Sequence, residues 1–449
     1  MTTSETKHHL PSTLVQGYGV AALAISFTNT AYMFFLLKYM VDGAGMTPAV
    51  AGTVLLVAKG WDGVIDPLVG RVIDRTRTSW GSRRPWITVA TPALAVMFAS
   101  LWWGLPLTGW ALPVVYAVLL MGYATAYSFV TVPYGALTPA ITQDYDERTR
   151  LNGSRMAYSM FGGIVSGVLF PYLFTNYSWR IAGLTLGLMA VPPMLAMVYA
   201  TRGRDPVGPA EEESQESILT VLKSVPFRRT AALFLAAWAT VSVLSSLVPF
   251  YVEHHLHRKG MTDVAFAVIQ VAALIGVPIV VYMAKKLQKH VAYAIGIGSW
   301  SIALIGLAVV PAGEFGIAMV IAAVAGLGVA AAHVLPWSML PDVVEADALE
   351  HGGKDRAGAF YGAMTFLEQT GTAVALWVEG MLLSAAGYAE QAPTQPDSAL
   401  LMLRLLIGPI PGVLLVIAAI GALLWPPLTR EAHKALVESL AKKKQAAAT

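Results

Sequence analysis

Residues 59–86 read KGWDGVIDPLVGRVIDRTRTSWGSRRPW, and this stretch decides the fold. It begins inside an apolar segment, residues 50–72, that is long enough to cross a lipid bilayer. The segment carries Lys59, Asp62 and Asp66, whose spacings of three and four residues place them on one face of a helix. A charge at mid-membrane costs roughly 2.5–3.5 kcal/mol on insertion scales, so such side chains usually face a protein interior or a water-filled cavity.

These charges allow two interpretations. In the first, Asp62 and Asp66 form an acidic site that binds a small cation or carries a proton. In the second, Lys59 and Asp62 form a structural ion pair and no ion is coupled. The first interpretation is favoured, because one lysine cannot neutralise two aspartates.

The composition is that of a membrane protein with many spans. Of the 449 residues, 56% are hydrophobic and 13% are charged, and the mean hydropathy is +0.60. A soluble protein carries about 25% charged residues. The chain has no cysteine, which excludes disulfides and thiolate catalysis. The net charge of +3 comes from basic residues in loops, so we expect the lipid bilayer and not nucleic acid as the macromolecular environment.

Apolar stretches of spanning length predict an all-α membrane protein, because lipid leaves the backbone groups no partners but each other. Twelve such stretches lie at about residues 14–41, 48–73, 85–105, 110–139, 152–175, 180–200, 229–252, 262–284, 290–311, 315–340, 357–386 and 399–427.

Charge and polarity predict the topology of these spans. Most of the 30 Lys and Arg residues fall in alternate loops, which indicates that both termini are cytoplasmic and that the protein lies in the inner membrane. A polar interruption at residues 201–228 is interpreted as a cytoplasmic linker. It separates an N-terminal six-helix bundle, residues 1–200, from a C-terminal six-helix bundle with a cytoplasmic tail, residues 229–449. We expect a monomer.

The two predicted bundles repeat a pattern. Residues 139–155 begin with proline at a membrane exit, continue through an acidic stretch and end with an arginine, and residues 341–356 do the same. Parallel six-span halves with a site near the membrane midplane describe the major facilitator architecture. We therefore expect two pseudo-symmetric bundles and a substrate in the cleft between them.

The motifs resemble those of a known family. GRVIDR at residues 70–75 and GSRR at residues 81–84 are similar to the loop signature of the major facilitator superfamily. Within it, the chain resembles the glycoside–pentoside–hexuronide:cation symporter family, which includes the melibiose permease and is related to the animal lysophospholipid symporters. The strongest matches are WDGVIDPLVG with TRTSWGSRRPWI, VPYGALTPAIT with ERTRLNGSR, and PDVVEADALEHGGKDRAGAFYG.

The resemblance implies roles for particular residues. It places the coupling ion, Na+, Li+ or H+, at Asp62 and Asp66, with Thr131 as a candidate further ligand. Other hydroxyls on the first span, Ser26 and Thr28, are alternatives to Thr131. Candidate substrate-binding residues, which include several departures from the melibiose permease pattern, are Ser26, Tyr127, Arg155, His333, Trp337 and Gln369. Because the family's galactoside-binding groups are largely replaced, melibiose itself is not the expected substrate.

The remaining charged residues receive simpler predictions. The inner-loop residues expected to control the rocking of the halves are Asp74, Arg75, Arg83, Arg84, Asp342 and Arg356. Glu379 and Arg404 are expected to pair with each other or to extend to the membrane interface. The histidines of residues 253–257 are expected to lie in a solvated loop.

The sequence therefore predicts a secondary active transporter, and not an enzyme, that couples Na+ or H+ to a sugar, glycoside or related small polar solute. It needs no cofactor other than the coupling ion. The main alternative keeps the fold and carries a lysophospholipid or other amphipathic solute. A non-transporting sensor or membrane enzyme is a minor alternative, since no HExxH or GxSxG motif occurs.

Overall fold

The computed structural model describes residues 9–142, 144–205, 218–350 and 356–427, and within these ranges the regular structure is helical and contains no strand. The predicted all-α fold class is confirmed. Parts of the expected linker and the expected tail, residues 206–217 and 428–449, lie outside the described residues. The chain divides into two compact units. Unit 1 comprises Met1–Met46 and Val57–Ala210, and unit 2 comprises Thr47–Leu56 and Glu211–Thr449.

Fifteen α-helices are found in the described part of the chain. The first seven are α1 (Ser12–Gly19), α2 (Ala21–Lys38), α3 (Pro48–Arg75), α4 (Arg84–Leu101), α5 (Ala111–Ile141), α6 (Tyr145–Asn176) and α7 (Trp179–Ala200). The other eight are α8 (Ile218–Val221), α9 (Val225–Phe250), α10 (Thr262–Lys286), α11 (Lys289–Val309), α12 (Phe315–Glu350), α13 (Ala357–Ala385), α14 (Asp397–Ile407) and α15 (Pro409–Leu424).

Eleven helical segments of the described chain are long and apolar enough to cross a membrane. The twelfth predicted span is a helix of 29 residues, α13, which is long enough but is not among the eleven. Glu368 and Glu379 lower its hydropathy, which is why composition alone does not identify it. Other spans are compound: the last one joins α14 and α15 at Gly408.

Helix packing is close within each unit. In unit 1, α2 packs against α6 and α7, and α4 packs against α5 and α7. In unit 2, α12 packs against α10 and α11, and α9 packs against α13. A Cβ added at Gly326 of α12 would lie 2.4 Å from Ala272 Cβ of α10, so only glycine permits this approach.

Both units contain a π-helical turn, at Tyr39–Gly43 after α2 and at Tyr251–His255 after α9. A left-handed residue follows each turn, Gly45 with φ 78° and His257 with φ 50°. Two backbone hydrogen bonds of the first turn have counterparts in the second. Ala44 N–H to Tyr39 O at 2.8 Å corresponds to Leu256 N–H to Tyr251 O at 3.0 Å, and Met46 N–H to Met40 O at 2.9 Å corresponds to Arg258 N–H to Val252 O at 3.0 Å.

Candidate functional site

Lys59, Asp62 and Asp66 lie near the middle of α3, in the part of the helix that belongs to unit 1. Lys59 Nζ donates to Asp62 Oδ2 at 2.9 Å, and the two side chains are 19% and 15% exposed. The ammonium also lies 5.3 Å from the centre of the Tyr32 ring. The ion pair of the second interpretation is therefore formed.

The second carboxylate has a different partner. Ser128 Oγ on α5 donates to Asp66 Oδ1 in a short hydrogen bond. One turn away, Trp61 Nε1 donates to Thr125 Oγ1 at 3.0 Å, so two hydrogen bonds join α3 to α5 at the depth of the acids. The helix continues through Pro67, which leaves one backbone carbonyl of the preceding turn without its usual donor.

Sequence reasoning missed Ser128. It precedes Thr131, the predicted ligand, by three residues and so shares its side of the helix. This spacing is the only signal in the sequence that pointed to it. Thr131 itself is half-buried, and its hydroxyl donates to the Tyr127 carbonyl at 3.0 Å, which leaves the oxygen lone pairs able to bind a cation.

The two hydroxyls proposed from the first span lie inside the packing of unit 1. Ser26 Oγ is 2.9 Å from Ser159 Oγ of α6, and Ser26 is 7% exposed. Thr28 is fully buried and donates to the Ala24 carbonyl at 3.3 Å. The structure thus brings Ser128 to Asp66, while Ser26 and Thr28 form hydrogen bonds with other groups of unit 1.

Tyrosines surround the α3 acids in unit 1. Tyr32 stacks on Tyr123 with ring centres 5.3 Å apart, and Tyr123 lies 5.8 Å from Tyr127. Further along, the Arg155 guanidinium lies 5.1 Å from the Tyr134 ring centre. Two of the predicted substrate residues, Tyr127 and Arg155, are therefore half-buried and lie beside buried aromatic rings.

The other three predicted substrate residues belong to unit 2. His333 is exposed, and its Nδ1 donates to the Val329 carbonyl at 2.8 Å, so in the neutral ring Nε2 is an acceptor. Gln369 is half-buried on α13. Trp337 belongs to an aromatic group, defined here as the unit 2 aromatic patch, that also contains Phe234, Trp238 and Tyr361 with neighbouring ring centres 5.5–6.3 Å apart.

The loop after α3 is fixed by an acid that sequence reasoning also missed. Asp205 Oδ2 accepts from the backbone N–H groups of Arg83 and Arg84, at 2.8 and 3.0 Å. The Arg83 guanidinium adds a 3.1 Å ion pair to Oδ1, and the Arg84 guanidinium donates to the Val198 carbonyl. Arg83 and Arg84, two of the predicted gating arginines, thus bind protein groups of unit 1.

The other predicted gating residues lie in both units. Asp74 and Arg75 are exposed at the end of α3. In unit 2, Lys289 Nζ lies 2.6 Å from Asp342 Oδ2. Arg356 is buried, and its guanidinium pairs with Asp347 at 3.2 Å.

Two expectations are wrong. Glu379 and Arg404 do not pair: Glu379 is bound by Ser246, and Arg404 Nε donates to the Ala308 carbonyl at 2.8 Å. The histidines of residues 253–257 do not all lie in a solvated loop. His254 and His255 are buried, where they bind the Tyr388 hydroxyl at 2.9 Å and the Val310 carbonyl at 3.0 Å. In both cases the side chains form hydrogen bonds with groups that lie far away in the sequence, and the charge pattern of the sequence did not predict these partners.

Comparison with solved structures supports the fold. A bacterial homologue of the human lysosomal transporter Spinster superposes with a TM-score of 0.66 over 95% of this chain and 97% of its own. The sequences are 14% identical, so this likeness concerns the fold alone.

Comparison of sequences identifies the family. Residues 17–429 match the family described as MFS/sugar transport protein. An uncharacterised symporter from Synechocystis sp. is 30% identical over 99% of both chains. The glucuronide carrier protein homolog of Escherichia coli is 26% identical over 96% of both. The sodium-dependent lysophosphatidylcholine symporter 1-B of Danio rerio is 26% identical over 94% of this chain and 88% of its own. The protein is therefore a multi-pass membrane transporter that belongs to the MFS/sugar transport protein family.

Proposed function

We propose that this protein is a cation-coupled symporter in which Asp62 and Asp66 bind the coupling ion, Na+ or H+. One observation carries the proposal. Two carboxylates lie one helical turn apart on α3, and the only ammonium on that face, Lys59, is bound to Asp62. Asp66 is held by a neutral hydroxyl, that of Ser128. A carboxylate in such surroundings gains stability from an added cation or proton.

The side chains present fit either ion. A hard cation prefers oxygen ligands, and the Asp66 carboxylate and the Ser128 and Thr131 hydroxyls supply them. A proton needs only the carboxylate. Coupling follows if the ion and the solute both bind the same conformation more tightly, since each then raises the affinity for the other.

The solute proposed is a sugar, glycoside or sugar acid. Tyr127 and its neighbours offer ring faces on which a pyranose can stack, and Arg155 offers a guanidinium that can bind a carboxylate in two hydrogen bonds. The Escherichia coli relative is a glucuronide carrier protein homolog, which agrees with this chemistry. Ser26, His333, Trp337 and Gln369 remain candidates for further contacts.

A second candidate solute is a lysophospholipid. The unit 2 aromatic patch favours it, because four aromatic residues with one exposed histidine form a largely apolar wall. Names of animal relatives as lysophosphatidylcholine symporters agree. This candidate keeps the same ion site and changes only the solute.

The proposal includes the predicted topology. The protein lies in the inner membrane as a monomer, with both termini in the cytoplasm. Residues 201–228 link the bundles formed by residues 1–200 and 229–449. The predicted gating residues Asp74, Arg75, Asp342 and Arg356 then lie at the cytoplasmic face. Residues 351–355, between Glu350 and Arg356, lie outside the described residues.

The test uses purified protein in liposomes loaded to give a Na+ or a pH gradient, with a radiolabelled glucuronide or lysophosphatidylcholine outside. We expect Asp62→Asn and Asp66→Asn each to reduce uphill accumulation at least about tenfold, equivalent to about 1.4 kcal/mol of coupling. In both variants we expect exchange of solute to persist when its concentrations inside and outside the liposomes are equal. Asp397→Asn, an exposed residue at the start of α14, is the matched control and retains accumulation. Unchanged accumulation in both α3 variants would reject the ion site.

A further inference from the structure

Unit 2 contains an acid that the proposed mechanism does not use. Glu379 lies in α13 where this helix packs against α9, and it is 1% exposed. Ser246 of α9, also 1% exposed, has its hydroxyl oxygen 2.6 Å from Glu379 Oε2. One turn before Ser246 on α9, Ser242 Oγ lies 3.1 Å from Thr372 Oγ1 of α13. Two polar contacts thus follow each other along an otherwise apolar helix interface.

The hydrogen bonds of Ser246 indicate where a proton lies. Its hydroxyl oxygen is 2.9 Å from the Val243 carbonyl oxygen as well as 2.6 Å from Glu379 Oε2. A hydroxyl has one hydrogen, and a carbonyl can only accept. The one hydrogen of Ser246 is therefore shared between Glu379 Oε2 and the Val243 carbonyl oxygen, both of which accept from it. A proton held by the Glu379 carboxyl group then lies on the other oxygen, Oε1.

The charges around Glu379 favour the same protonated state. Within the described residues it forms no ion pair. An isolated ionised carboxylate in an apolar interior loses far more hydration than one hydrogen bond returns. A neutral carboxylic acid avoids this loss.

The ionisable groups on the helices that pack against α13 are held by other partners. Arg404 of α14 donates to Ala308, and the histidines at the end of α9 bind Tyr388 and Val310. On α12, Asp342 pairs with Lys289 and Asp347 with Arg356. The remaining ionisable groups on these elements are Arg228 and Arg229 in the first turn of α9, Asp397 in the first turn of α14, and Glu345 and His333 on α12.

The second carboxyl oxygen makes the site a place for proton exchange. Glu379 Oε1 is buried and has no hydrogen-bond partner among the described side chains and backbone. It is therefore the atom at which an arriving water molecule binds. We propose that Glu379 is a proton-binding site of unit 2, which holds one H+ while it is buried and gives that H+ to water when water reaches Oε1.

This inference goes beyond the symport proposal, because it adds a titratable site in the other unit and does not depend on Asp62 or Asp66. The proton balance is simple: the carboxyl O–H bond breaks, the electron pair stays on the carboxylate, and water takes the proton as hydronium. A site of this kind makes a transport step sensitive to pH even if the α3 acids bind Na+.

The experiment is infrared spectroscopy of the purified full chain in lipid nanodiscs, read at the C=O stretching band of protonated carboxyl groups. We expect this band at neutral pH, its loss in Glu379→Gln and its retention in Glu390→Gln, a matched substitution in the loop after α13. As the pH is raised into the alkaline range, the wild-type band loses intensity. No solute is needed, so failure here is separate from failure of the accumulation assay.

A second variant covers the case in which Glu379→Gln does not fold. Ser246→Ala removes the hydroxyl that donates to the carboxyl group, and we expect the band to move to higher frequency while it remains present. Absence of the band at neutral pH would show an ionised Glu379 and overturn the proposal. A band that survives at every pH at which the protein stays folded would show a permanently neutral structural group, and would also overturn it.

Discussion

The two units hold their membrane acids in opposite ways. In unit 1, Asp62 and Asp66 are half-buried, and an ammonium lies 2.9 Å from the first. In unit 2, Glu379 is 1% exposed, and its hydrogen-bond partner is the Ser246 hydroxyl. The partner decides the charge: an ammonium keeps a carboxylate ionised, whereas a hydroxyl satisfies a neutral acid equally well. The difference shows that an acid in a membrane helix can be bound either by an ammonium or by a hydroxyl.

The largest expected effect comes from breaking the charged partner in unit 1. Lys59→Met leaves Asp62 ionised without its ammonium, and we expect a loss of about 3 kcal/mol in unfolding free energy, the lower end for a broken buried pair. Thermal denaturation in detergent measures it. The double variant Lys59→Met/Asp62→Asn is expected to regain most of the stability, since no unpaired charge remains.

A surface ion pair supplies the control for this prediction. Lys259 lies 3.5 Å from Glu253, and its side chain is 84% exposed. Lys259→Met is expected to change stability by less than about 1 kcal/mol. If Lys59→Met were as mild as this control, the contrast between the two units would not rest on charge pairing.

The sequence predicted the helices and the α3 acids because both follow from local rules. Hydropathy over about 20 residues predicts a span, and spacings of three and four place Asp62 and Asp66 on one face. It did not predict the partners, which lie far along the chain. Ser128 is 62 residues from Asp66, Asp205 is 122 from Arg83, and Ser246 is 133 from Glu379. Such pairings depend on tertiary packing, which cannot be read from local patterns in a single sequence.

The prediction of a Glu379–Arg404 pair failed for the same reason. Both residues are ionisable and lie in consecutive spans, so charge alone favours their pairing. In the structure a backbone carbonyl, that of Ala308, satisfies Arg404, and Ser246 satisfies Glu379. A neutral hydrogen-bond donor or acceptor on a distant helix cannot be predicted from the local sequence.

A matched pair of serine substitutions sharpens the comparison. Ser128→Ala removes a hydrogen bond to Asp66, and Ser246→Ala removes one to Glu379. Hydrogen bonds to charged groups contribute about 1.5–3 kcal/mol and those between neutral groups about 0.5–1.5 kcal/mol. We therefore expect Ser128→Ala to be the more destabilising variant in thermal denaturation. Equal losses would contradict different charge states for the two acids.

The smallest effect concerns an acid at a helix end, Glu147, which serves as a reference outside the membrane. Its carboxylate lies 2.7 Å from His9 Nδ1 and 2.8 Å from an Arg150 guanidinium nitrogen. The hydrogen bond with His9, and then that with Arg150, lowers the pKa of Glu147 although burial acts to raise it. A lowered folded-state pKa contributes stability above the ordinary pKa of Glu, and this is lost as the pH falls through the lowered value.

We therefore expect the wild-type midpoint of thermal unfolding to fall as the pH drops below about 4, the ordinary range of Glu. Glu147→Gln should lose less over the same interval, and Glu390→Gln should follow the wild type. A Glu147→Gln profile parallel to that of the wild type would mean that this carboxylate does not contribute to the acid sensitivity.

The matched π-helical turns at Tyr39–Gly43 and Tyr251–His255 bear on the history of the chain. A π turn accommodates one extra residue at an energetic cost, so two independent insertions at the same place are improbable. The tripeptide Gly-Met-Thr follows both turns, at residues 45–47 and 260–262. The simplest origin is a gene duplication: a six-span ancestor already carried the insertion, and the descendant halves inherited it before their acids diverged.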